Sequence, residues 1–148
     1  MTRRMLTALV ALVGLFVAMY LALYKAGAIG TLACGTGGCE TVQLSHWSVF
    51  LGLPVATWGV GFYALVFAVA FAGTTERFGD SRWLALAMPL LTGWGVIYSA
   101  WLTYLELFVI HAICRWCVGS ALIALGLFVL TLLDRRASAQ PLNSRGDR

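Results

Sequence analysis

The chain has little charge. Asp, Glu, Lys and Arg together make up 11% of its 148 residues, against about 25% in an average globular protein. A soluble domain of this length must turn a large share of its side chains toward water, and this composition cannot supply them. The sequence also lacks a polar stretch long enough for a separate soluble domain, and it contains no internal repeat. What it has instead is apolar: 61% of the residues are hydrophobic. The solvent for most of this chain is lipid. Its formal net charge of +4 is therefore read by position, because basic residues in a membrane chain report orientation before they report nucleic acid. No nucleic-acid partner is expected.

A spanning helix needs about 20 mostly apolar residues. Residues 5–24, 54–72, 83–109 and 113–133 each supply such a run, the third crossed only by Glu106 and the fourth only by Arg115. The expected fold is an all-α integral membrane protein, a four-transmembrane-helix bundle over residues 1–134. Residues 25–53 form its longest connection, and residues 135–148, mixing Ser, Pro, Asn, Gly and charge, read as a disordered tail. The first run follows Arg3 and Arg4 as a signal peptide would. It exceeds the usual ~7–15 residues and no small-x-small cleavage site closes it, so a retained helix is expected. Glycines in the later spans (Gly59, Gly61, Gly93, Gly95, Gly119 and Gly126) suit close helix approach in lipid.

Lysine and arginine counts give the orientation. Four spans place both termini and the middle loop on one side, with Arg3, Arg4, Arg77, Arg82, Arg135, Arg136, Arg145 and Arg148; the other side holds Lys25 and Arg115. The arginine-rich side is expected to be cytoplasmic, in a cell inner membrane. The long first loop and the connection before the last span then face outward.

All four cysteines fall on that outward side. Cys34 and Cys39 lie in the first loop, and Cys114-Arg115-Trp116-Cys117 opens the fourth span. The compartment permits disulfides. A Cys-x-x-Cys in the first turn of a helix brings two sulfurs within bonding range, and the free backbone N–H groups there favour a thiolate. Arg115 adds positive charge, so a reactive thiol is expected. The other pair encloses Gly35-Thr36-Gly37-Gly38, which permits a tight, mobile loop. Two static disulfides clamping the loop are a competing reading, which makes the chain a non-enzymatic membrane scaffold. A four-cysteine zinc site is another, and the oxidising compartment argues against it. No metal is expected.

These residues resemble the vitamin K epoxide reductase family. The elements are the loop pair Cys34 and Cys39, then Ser45-His46-Trp47, Gly52-Leu53-Pro54, Gly59 and Tyr63, and Cys114-Arg115-Trp116-Cys117. The loop pair precedes the helix pair, the reverse of the other class of quinone-linked disulfide generators. The resemblance implies a quinone-dependent thiol–disulfide oxidoreductase that supports disulfide bond formation. A soluble extracytoplasmic thioredoxin-like protein delivers electrons to Cys34–Cys39. Cys39 exchanges with Cys114, and Cys117 faces a membrane quinone, ubiquinone or menaquinone. The resemblance also implies a short extracytoplasmic half-helix around residues 45–53, lying over the quinone pocket. Ser45, His46, Trp47 and Trp116 are its pocket candidates. Ala121 stands where the animal enzymes carry a tyrosine, so quinone rather than epoxide reduction is implied. The chain ends soon after the fourth span, so the thiol partner is expected to be a separate polypeptide.

The remaining polar and aromatic residues read more plainly. Glu106, near the end of its span, is expected to reach water or pair with Arg115. His111 reads as a solvated loop residue. Trp83 suits an interfacial belt. Trp58, Trp94 and Trp101 read as packing, and Lys25 as the anchor of a helix end.

Overall fold

The structure, a computed structural model, describes residues 3–35 and 38–139, the last three without their side chains. Its long helices are α1 (Arg3–Lys25), α3 (Val55–Ala72), α4 (Arg82–Leu105, continued by a π-helical turn over Glu106–Ile110) and α5 (Arg115–Ala139). These give four segments long and apolar enough to cross a membrane. A short helix α2 (Gly38–Leu44) lies between α1 and α3. It is followed by a 3-10 turn at His46–Ser48 and a two-stranded hairpin, β1 (Val49–Phe50) and β2 (Leu53–Pro54). The α5 helix runs past the end of the expected span to Ala139. The expected disordered tail otherwise falls on residues 140–148, outside the described residues.

Small residues let the helices meet. Ala8, Ala11, Gly14 and Ala18 form one buried stripe on α1. Through it α1 packs along α3 and, less extensively, along α5. A Cβ on Gly14 would overlap the Tyr63 ring. That close approach lets Tyr63 reach α5, where its hydroxyl donates to the Ser120 carbonyl at 2.8 Å. Thr92 of α4 and Thr131 of α5 share a hydrogen bond of 3.1 Å, the polar adhesion expected where lipid supplies no hydrophobic drive. By contrast α3 and α4 touch sparsely, and a cavity opens between them.

The two ends of the bundle are tied differently. At one, Arg4 donates to the Gly73 carbonyl at 2.8 Å, to the Gly79 carbonyl and to Asp134 at 3.1 Å. It thus joins α1, the α3–α4 loop and α5. At the other end, Lys25 donates to the Gln43 carbonyl and to Ser48 Oγ at 2.8 Å. Lys25 therefore holds the α2 segment onto α1, a role more specific than the helix-end anchor expected of it.

The short helix expected around residues 45–53 exists but sits earlier, over Gly38–Leu44. The expected segment instead turns over. Leu51 and Gly52 both take positive φ, 51° and 80°, the pair of conformations that closes a two-residue hairpin. Gly52 adopts its φ without a Cβ penalty. Trp58 donates its indole N–H to the Phe50 carbonyl at 3.0 Å and fixes the hairpin to α3.

Candidate functional site

The four cysteines gather at the Lys25 end. Cys34 and Cys39 form a disulfide with a Cα–Cα distance of 6.1 Å. Cys114 and Cys117 are free thiols. Cys39, at the start of α2, and Cys114, just before α5, are both fully buried in one cluster with Leu21, Leu32, Val42 and Ala56. Cys34 and Cys117 pack against the same cluster. A Cβ on Gly38 would overlap the Ile113 carbonyl oxygen, so glycine there lets α2 sit directly on the segment that carries Cys114.

Cys114 caps α5. Its carbonyl accepts the Val118 N–H at 3.0 Å, and its sulfur accepts the Cys117 N–H at 3.3 Å. This is the geometry of an N-cap side chain satisfying an orphan donor of the first turn. The Cys114 thiol is held below the ordinary thiol pKa, first by the hydrogen bond from the Cys117 side chain and then by the N–H groups of Cys117 and Trp116. Burial and the charge of Glu106 oppose the shift. The helix N-terminus thus acts as expected. Arg115 is exposed and is not among the causes.

Glu106 departs from expectation. It neither reaches water nor pairs with Arg115: it is 4% exposed. One of its oxygens accepts the Cys114 N–H at 3.1 Å, and it lines a small cavity together with Cys117. The π-helical turn at Glu106–Ile110 carries it; such turns re-aim a side chain that a regular helix would leave elsewhere. On the opposite flank, Gln43 Nε2 donates to Cys117 Sγ at 3.6 Å. Gln43 is one helical turn beyond Cys39 on the same buried face of α2.

The pocket candidates divide. Ser45 and Trp47 line a small cavity of about 40 Å³ beside Gln43, Glu106 and Cys117. His46 is exposed, stands edge-on to Trp47 at 6.2 Å and lines neither this cavity nor the larger one. Trp116 lines neither as well: it packs on Tyr20 at 5.1 Å and donates to the Ala33 carbonyl at 3.2 Å. It thereby braces the segment leading to Cys34. Trp58 and Trp94, read as packing residues, line the larger cavity instead.

That larger cavity, about 560 Å³, lies between α3 and α4. Its walls include Phe50, Phe62, Trp94 and Tyr98, and Cys117, Gln43 and Glu106 stand at one end. The volume is that of a small-molecule site, and the lining, apolar with a few convergent polar groups, matches the usual pattern. A flat, lipid-soluble ring fits it. Among the described residues no cluster of three or more His, Cys, Asp or Glu side chains is arranged to hold a metal.

A membrane bundle that holds a disulfide and a dithiol in one buried cluster has the construction of a membrane thiol–disulfide oxidoreductase. The model of the vitamin K epoxide reductase family matches residues 5–132, nearly the whole chain, and the chain belongs to that family. It is a multi-pass membrane protein, and proteins of this family are quinone-linked in general.

Proposed function

We propose that this protein oxidises a soluble, extracytoplasmic thioredoxin-like dithiol and passes the electrons through Cys34/Cys39 and then Cys114/Cys117 to a membrane quinone, ubiquinone or menaquinone. The observation that carries this reading is the burial of Cys39 and Cys114 in one cluster, with Cys117 facing an apolar cavity. The positive-inside count supports the orientation: the cysteine end faces outward from a cytoplasmic membrane, and both termini face the cytoplasm.

The chemistry follows from exposure. Cys34 is half-buried and Cys39 fully buried, so an incoming thiolate meets Cys34 first and frees Cys39. Thiolate attack by Cys39 on the Cys114 sulfur of an oxidised helix pair moves the electrons inward. Cys114, capping α5, suits this position because the donors around it favour a leaving thiolate. The partner's second thiol displaces Cys34 from the mixed disulfide and the partner leaves oxidised; attack by the freed Cys34 on Cys39 then restores the loop disulfide and leaves the helix pair as thiols, the arrangement of the structure. A quinone supplies the two-electron acceptor that reoxidises this pair. The aromatic walls orient a ring toward Cys117 and exclude water. The two free thiols also count against the scaffold reading, which needs two disulfides.

The test follows quinone absorbance on the purified protein as a reduced thioredoxin-like dithiol is added. Sustained quinone reduction is expected, and Cys117→Ala abolishes it. Turnover that survives Cys117→Ala contradicts the relay, as does a wild-type protein that merely loses stability on reduction.

A further inference from the structure

A carboxylate within a membrane span is costly unless partnered or used. Glu106 is 4% exposed, and no ion pair among the described residues reaches it. Lys25, the basic group at the same end of α1, is engaged by the Gln43 carbonyl and Ser48. What faces Glu106 is the helix pair: its oxygen takes the Cys114 N–H at 3.1 Å, and it lines one small cavity of about 40 Å³ together with Cys117. Gln43 donates to the same sulfur at 3.6 Å. Cys117 therefore sits between an amide donor and a carboxylate acceptor, beside the sulfur with which it would close a bond.

We infer that Glu106 is a catalytic acid–base for Cys117, giving a proton to its sulfur when the helix disulfide opens and taking it back when the pair closes. The inference rests on the relay for the direction of exchange. In the opening step Cys39 thiolate attacks Cys114. The Cys39–Cys114 bond forms, the Cys114–Cys117 bond breaks, and the electron pair of the broken bond goes to Cys117 Sγ. The Glu106 carboxyl protonates that sulfur and becomes a carboxylate. Cys34 then attacks Cys39, Cys114 leaves as a thiolate, and the Cys34 proton goes to solvent. The products are a loop disulfide, a Cys117 thiol and a Glu106 carboxylate beside it. The loop disulfide and the two free cysteines of the helix pair are those of the structure. Gln43 is a positioning residue that holds Cys117 Sγ on the carboxylate side.

The test uses neither quinone nor protein partner. The full-length protein, both pairs oxidised with diamide, receives dithiothreitol. Samples are acid-quenched, alkylated and mapped by mass spectrometry, which separates reduction of the loop pair from the later transfer to the helix pair. In Glu106→Gln the transfer is expected to slow on the order of 100-fold while loop reduction keeps its rate; Glu106→Asp recovers a large part of the loss. In the unaltered protein the transfer, but not loop reduction, slows in heavy water, which covers a variant that does not fold. Transfer at the wild-type rate in Glu106→Gln overturns the inference. So does equal slowing of both phases, or a wild-type transfer indifferent to heavy water. Because no quinone is present, a protein that fails to reduce quinone still passes or fails here on its own terms.

Discussion

Three donors converge on the Cys114 sulfur: the Cys117 side chain and the N–H groups of Cys117 and Trp116. They lower its pKa, so Cys114 keeps its charge to lower pH than an ordinary thiol does. A titration of thiolate ultraviolet absorbance, with the loop pair oxidised, should give a midpoint below the ordinary value of about 8.5. Cys117→Ala removes the largest cause and should raise that midpoint. Glu106→Gln removes the negative charge that resists ionisation and should lower it further. A midpoint at or above the ordinary value, or both variants shifting it the same way, contradicts this account of the cap. The cysteines themselves were legible, because Cys-x-x-Cys at the start of an apolar run has a physical meaning without coordinates. Glu106 and Gln43 were not. An acid near the end of a span looks like an interfacial acid, and the π-helical turn that carries Glu106 inward has no sequence signature of its own. Gln43 was open to discovery only by supposing that Cys39 begins a helix, which puts it one turn further on the same face.

Gly38 decides how closely α2 sits on α5. A Cβ there would overlap the Ile113 carbonyl, immediately before Cys114, and backbone gives way less readily than a side-chain tip. Gly38→Ala should push α2 outward and slow loop-to-helix transfer, by up to about 100-fold if the sulfurs separate by an ångström. Gly126→Ala, where a Cβ meets nothing within 4 Å, is the control and should leave transfer unchanged. Alkylation mapping reads both, and a normal rate in Gly38→Ala sinks the close-approach argument. The four long helices were plain in the sequence because each exceeds the length that any other explanation tolerates. The α2 helix was not, since its seven residues are too few to show a periodicity and follow a glycine-rich run that reads as loop. The hairpin hid for a different reason: its turn is Leu51-Gly52, without the Asn or Asp that usually announces one.

Across the whole molecule the ends divide the work. Arg4 knots three segments at one end, and small residues bring α1 against α3 and α5 through the middle. This leaves the poorly filled α3–α4 interface as the cavity, with the cysteines at its other end. Charge placement made the asymmetry of the ends visible in advance. The cavity was not visible, because it is what remains where two helices fail to pack. The central claim is that this arrangement lets Cys39 and Cys114, far apart in the chain, exchange a bond directly. In Cys34→Ser/Cys117→Ala only those two thiols remain, and mild oxidation of the membrane-embedded protein followed by non-reducing peptide mapping reads the outcome. A Cys39–Cys114 linked peptide as the main product is predicted; both thiols left free, or joined only between molecules, contradicts the account.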